Sequence, residues 1–289
     1  MKWQDQLSIN FWKIYSWFRC RKFELRNKLD KLRSATNVEV YINGIFGRLD
    51  SSKIKYQDGF TSNDKSRYNL CSSMGTQYKS GDLLGKWEPK NVVWDKNTSM
   101  QLLVTPESGD CTKQEAWDGP YHYDYKAGYM DTFQKATFDK GWFHAKVKLT
   151  HNKSFWPAWW LLGDRKVKDE SEIVPEFDIY EEMDNRLSFS VHLDYSKDHL
   201  KHCTSSLKFN TAEWFIMSLH WTDKFIKWYV NGYLVKTYKL KLADYVHKPH
   251  WFIFNDSYKG DVSKLTGKEG TKIDWVIVAD ENVDFGFDN

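Results

Sequence analysis

The strongest constraint on the fold is a hairpin signature. Phe225-Ile226-Lys227-Trp228-Tyr229-Val230 runs into Asn231-Gly232 and then into Tyr233-Leu234-Val235-Lys236-Thr237-Tyr238. Two runs rich in aromatic and β-branched residues, joined by Asn-Gly, predict strands closed by a two-residue turn, because both turn residues tolerate positive φ. Similar short runs recur along the chain, at Val38–Ile42 before Asn43-Gly44, at Gln101–Val104 before Pro106, and at Trp142–Leu149. Six prolines, no Pro- or Ser-rich linker and no repeat period leave nothing to divide the region. Residues 41–289 are therefore expected to form one all-β domain, a two-sheet sandwich.

Residues 1–40 read differently. Residues 1–34 carry nine basic against three acidic side chains, a net of +6 in a chain whose total is +3. Phe11, Phe18, Leu25 and Leu32 recur at heptad spacing beside Ile14, Tyr15 and Leu29, which predicts a basic amphipathic helical extension. Such a helix suits a protein partner, self-association through residues 1–34, an anionic surface, or the flank of its own domain.

Composition narrows the functional classes. Near-balanced charge over 289 residues gives no phosphate-tracking surface, so no nucleic-acid partner is expected. The mean hydropathy of −0.68, with no uncharged apolar run near the roughly 20 residues of a spanning helix, predicts no membrane span. Cys20, Cys71, Cys111 and Cys203 form no Cys-x-x-Cys pair, so no zinc ribbon is indicated; they are expected as free thiols, although two disulfides are also countable. The apolar stretch Leu7–Phe18 is broken by Asn10, Lys13 and Ser16 and has no small-residue cleavage site after it, unlike a secretory signal peptide. Fifteen tryptophans in an aromatic content of 17% suit either a β-core or a surface on which sugar rings stack.

The chemistry concentrates in Val174-Pro175-Glu176-Phe177-Asp178-Ile179-Tyr180-Glu181-Glu182-Met183-Asp184. In a strand Glu176 and Asp178 share one face while Phe177 and Ile179 take the other. Strict alternation would bring Glu182 to the carboxylate face. A one-residue bulge at Ile179–Tyr180 brings Glu181 there instead and makes a row of three. Crowded carboxyls raise one another's pKa. A retaining glycosidase needs one ionised and one protonated carboxyl about 5–5.5 Å apart. A solvated edge or a calcium site would show the same residue types. Just upstream, Phe155-Trp156-Pro157-Ala158-Trp159-Trp160-Leu161-Leu162 is expected to be the adjacent strand, with Trp156, Ala158 and Trp160 on one face as a sugar platform or as core.

Trp-Pro-Ala-x-Trp-Leu-Leu followed by Glu-x-Asp-x-x-Glu resembles family 16 of the glycoside hydrolases, in the bulged form typical of laminarinases, agarases and carrageenases. Collinear segments extend the resemblance: Asn91–Val104, Gly141–Leu149, Glu213–Lys236, Phe252–Asn255 and Ile273–Val278. It implies a concanavalin-like β-jelly-roll whose open cleft cleaves internal β-glycosidic bonds with retention and without a cofactor or metal. By position, Glu176 matches the nucleophile, Glu181 the general acid/base, and Asp178 the residue that tunes the nucleophile. Trp156 and Trp160 match indoles beside the bound sugar, His192 a cleft histidine and Asn255 the late-strand asparagine, which are thus expected to bind substrate. The partner implied is a polysaccharide, β-glucan or galactan, and the location implied is extracellular. Transglycosylation on the same site and a non-catalytic carbohydrate-binding jelly roll are the competing readings. The chain departs from the family at Pro175, where Gly is commoner, and at His144 and Lys146, which replace a Glu and an Arg.

Overall fold

The computed structural model describes residues 45–62, 64–72, 77–80, 83–95, 99–112, 120–163, 175–193, 202–241 and 248–287. The expected helix in residues 1–40 and the expected strand at Val38–Ile42 lie outside them. Among the described residues two large sheets face each other, and every strand pairing but one is antiparallel.

The smaller sheet runs His202–Leu207, Arg186–His192, Glu176–Met183, Ala158–Gly163, His250–Asn255 and Tyr129–Asp131 in spatial order. At the centre of the larger sheet, Gly141–Lys148 pairs with both Phe215–Trp221 and the long Gly270–Ala279 strand. Phe225–Val230 and Tyr233–Lys239 extend one end of it. Asn231 (φ 48°) and Gly232 (φ 74°) make the turn between these two strands with positive φ at both positions, as Asn-Gly predicted.

Alternation does the packing. From the smaller sheet Trp159, Phe177 and Phe189 point inward, and from the larger Phe143, Trp221 and Trp228 meet them, all fully buried. Their backs carry the opposite set, so burying one face of the Glu176–Met183 strand obliges its carboxylates onto the other. This is the jelly-roll sandwich expected from the sequence. Cys203 is a buried free thiol, and Cys71 Sγ donates to the Trp87 carbonyl at 3.5 Å. His144 and Lys146 belong to the larger sheet: His144 is buried against Ser218 (2.8 Å) and Lys146 pairs with Asp274 (2.6 Å).

Candidate active site

Glu176 lies opposite His192, Asp178 opposite Ser190 and Glu181 opposite Ser188 in the pairing with Arg186–His192. Phe189 alone therefore faces Ile179 and Tyr180. The same irregularity appears on the other side, where Trp160 pairs with Asp178 and Trp159 with Tyr180. The bulge sits at Ile179–Tyr180, and it restores the phase of Glu181 so that three carboxyls share one face.

The neighbouring acids part company there. Trp156 Nε1 donates to Glu181 Oε1 at 2.8 Å. Glu182 turns away and is buried, accepting from Thr211 Oγ1 at 2.7 Å and hydrogen-bonded to His151 Nδ1 at 2.7 Å.

Trp156 is not on a strand. The strand begins at Ala158, because Pro157 has no N–H to give a ladder. Trp156 instead occupies the approach to the strand, its own N–H bonded to the Ser257 carbonyl, and from there its indole reaches Glu181. Trp160 is on the strand as expected, facing the same side as Asp178. Its Nε1 donates to Asn255 Oδ1 at 2.8 Å. Asn255 is itself buried and enters the site by fixing that indole.

His192 Nε2 is hydrogen-bonded to Asp178 Oδ2 at 2.9 Å and lies 4.0 Å from Glu176 Oε1. A signal for this was present in the sequence: Asp184 and Asn185 take positive φ (53° and 58°) in a two-residue turn, which sets the register that puts His192 beside Glu176. Glu176, Asp178 and His192 bring donor atoms within 4.8 Å of one another, a closeness the hydrogen bonds among them account for.

Burial pushes the Asp178 carboxyl well above the usual carboxylate range, and the charge of Glu181 adds to the rise; Lys236, Ser190 and Glu176 act against it. Burial also raises Glu181, opposed by the Trp156 hydrogen bond and by His192. A carboxyl raised by burial, next to others on one face, is the arrangement of an acid that keeps its proton where ordinary carboxylates have lost theirs. Three contacts behind the strand gave no signal in the sequence. Trp228 Nε1 donates to the Asp178 carbonyl (2.9 Å), Lys236 Nζ to the Phe189 carbonyl (2.7 Å), and His250 Nε2 bonds the Pro175 carbonyl (2.8 Å).

The family model described as glycosyl hydrolases family 16 matches residues 81–277, which takes in most of both sheets and the whole carboxylate strand. The chain belongs to glycosyl hydrolases family 16. The chain is 22% identical over 180 residues to the endo-1,3-1,4-beta-glycanase EglC of Rhizobium meliloti (strain 1021), a match that takes in 61% of the chain and 37% of that protein's length. The fold is similar to the catalytic domain of an endo-1,3-beta-glucanase (laminarinase) from Thermotoga petrophila RKU-1, with a TM-score of 0.62 at 19% identity over 80% of this chain and 98% of that one. It is also similar to the kappa-carrageenase of Pseudoalteromonas carrageenovora, with a TM-score of 0.59 at 16% identity over 80% and 93% of the two chains.

Proposed function

We propose that this family 16 protein is an endo-acting β-glucanase that cleaves internal bonds with retention of configuration, using Glu176 as nucleophile and Glu181 as general acid/base. The observation that carries the reading is the bulge, which places Glu181 on the face of Glu176 and Asp178 while Glu182 goes to the core. In this mechanism Glu176 attacks the anomeric carbon as Glu181 gives its proton to the departing glycosidic oxygen. The sugar is then held as an ester on Glu176. Glu181, now a carboxylate, takes a proton from the water that attacks the same carbon and releases the sugar, and both groups return to their starting states.

Asp178 and His192 touch each other beside Glu176 and orient its carboxylate. Trp156 and Trp160 offer indole faces to the sugar rings, and Asn255 fixes the second of them. A β-glucan is favoured over a galactan because the Rhizobium meliloti relative is an endo-1,3-1,4-beta-glycanase and the Thermotoga petrophila neighbour an endo-1,3-beta-glucanase. The test is incubation with laminarin, mixed-linkage β-glucan and κ-carrageenan. Proton NMR of the first product anomer and product sizing are the readouts. Early β-anomeric oligosaccharides from a glucan are expected. Initial α-anomers, or monosaccharide alone from the outset, would overturn the reading.

A further inference from the structure

The bulge that assembles the carboxylate row creates a problem on its core side. An extra residue stands outside the ladder, and buried carbonyls around it need donors from elsewhere. Those donors cross the sandwich from the opposite sheet. The Trp228 indole reaches the carbonyl of Asp178, the residue before the bulge, at 2.9 Å. Lys236 Nζ reaches the carbonyl of Phe189, the residue facing the bulge, at 2.7 Å, and the Cys203 carbonyl on the next strand at 2.6 Å. Trp228 and Lys236 are themselves register partners in the Asn231-Gly232 hairpin, and the ammonium lies 4.7 Å from the centre of the indole ring. A register shift at Trp228/Tyr229 leaves Val235 and Lys236 both fully buried, where alternation would send one of them outward. One sheet's irregularity thus meets the other's.

We propose that Lys236 and Trp228 are positioning residues of the carboxylate strand: together they hold the bulge that selects Glu181, and Lys236 sets a positive charge behind Asp178. This rests on the assignment of Glu176 and Glu181 as the reacting pair. An ammonium in an apolar interior is costly to desolvate, and here its charge opposes the effect of burial on Asp178. Among the described residues, the other charged or titratable groups acting on Asp178 are Glu176 and Glu181 on its own strand and His192 on the next. Without Lys236, burial and the charge of Glu181 both favour the protonated acid. The titration of Asp178 then moves to higher pH, and the pH–rate profile moves with it.

The experiment uses the full chain with Trp228→Phe, Lys236→Met and Lys236→Arg, assayed on laminarin across pH. In parallel, the aspartate carboxyls are titrated by carbon-13 NMR, with Asp178→Asn to assign the resonance. Trp228→Phe is expected to lower kcat about five- to tenfold, the equivalent of one lost hydrogen bond, with KM within about twofold. Lys236→Met is expected to lower kcat further and to shift both the profile and the Asp178 midpoint upward, whereas Lys236→Arg, which keeps the charge, leaves the midpoint in place. A folded Lys236→Met variant with wild-type kcat and profile would overturn the proposal. Should that variant not fold, wild-type kcat in Trp228→Phe overturns it instead. A wild-type chain inert on every glycan defeats the functional reading alone, since the NMR midpoint still decides whether Lys236 acts on Asp178.

Discussion

Trp156 Nε1 donates to Glu181 Oε1 at 2.8 Å, so an indole placed just before one strand grips the carboxyl of the next. That bond favours the charged carboxylate and holds Glu181 below the level to which burial alone would raise it. Trp156→Phe keeps an aromatic ring and removes the donor. The Glu181 midpoint then rises, and the alkaline limb of kcat/KM moves to higher pH. We expect kcat to fall about tenfold, because the carboxyl also loses its fixed orientation. An unmoved alkaline limb would show that Trp156 does not act on the Glu181 carboxyl.

Glu181 and Glu182 are adjacent acids with opposite fates, decided by one backbone irregularity. Glu181→Gln is expected to cut turnover by about 10²–10⁴ while leaving the melting temperature near wild type. Glu182→Gln should do the reverse. It weakens the buried contacts with Thr211 and His151, so Tm falls while kcat stays within a few-fold. Thermal melts and kcat on the same preparations separate the two, and an inactive, fully stable Glu182→Gln would reverse the assignment.

Much of this site is legible in the sequence because it depends on period two. The phase of Phe177 and Ile179 commits the opposite face to Glu176 and Asp178, and the extra residue at Ile179–Tyr180 follows from requiring Glu181 on that face. The Asn231-Gly232 hairpin is equally local. What escapes is what arrives from elsewhere in space. Trp156 was expected on the strand, but Pro157 delays the strand's start, and the reach to Glu181 comes from the segment leading into it. Trp228 and Lys236 read as hairpin residues, and only the packing of the two sheets aims them at the bulge. Asn255 resembles a substrate ligand in its motif, yet its oxygen is taken by Trp160.

Asp256 follows Asn255 into the interior, and burial pushes its carboxyl up to about 7, with the charge of Glu182 adding to the rise. A folded-state pKa above the unfolded value means that the native protein holds a proton the unfolded chain has lost between about pH 4 and pH 7. Stability from this group therefore falls as pH rises through that window. Asp256→Asn retains an oxygen for the Thr271 N–H, which Asp256 Oδ2 now accepts at 2.7 Å. The variant should melt higher than wild type at pH 7–8, by about 2–4 °C for each kcal/mol gained. That advantage should vanish near pH 4. Equal stabilisation at both pH values would contradict a protonation origin.

Asp178 makes no bond to the sugar in this mechanism, so Asp178→Asn should leave measurable turnover where Glu176→Gln leaves essentially none. It should also alter the pH profile, because the hydrogen bond to His192 at 2.9 Å loses a titrating partner. Steady-state rates of the two variants on one glucan make the comparison, and equal loss in both would place Asp178 in the bond-making step.

The identity of the nucleophile can be read directly. A 2-deoxy-2-fluoro β-laminaribioside with a dinitrophenolate leaving group slows release of the covalent intermediate more than its formation, so the ester accumulates. Intact mass followed by peptide mapping should find one laminaribiosyl group on Glu176, absent from Glu176→Gln and lost on reactivation with an acceptor sugar. A label on Glu181, Glu182 or Asp178, or turnover of glucan with no adduct at all, would contradict a retaining mechanism through Glu176.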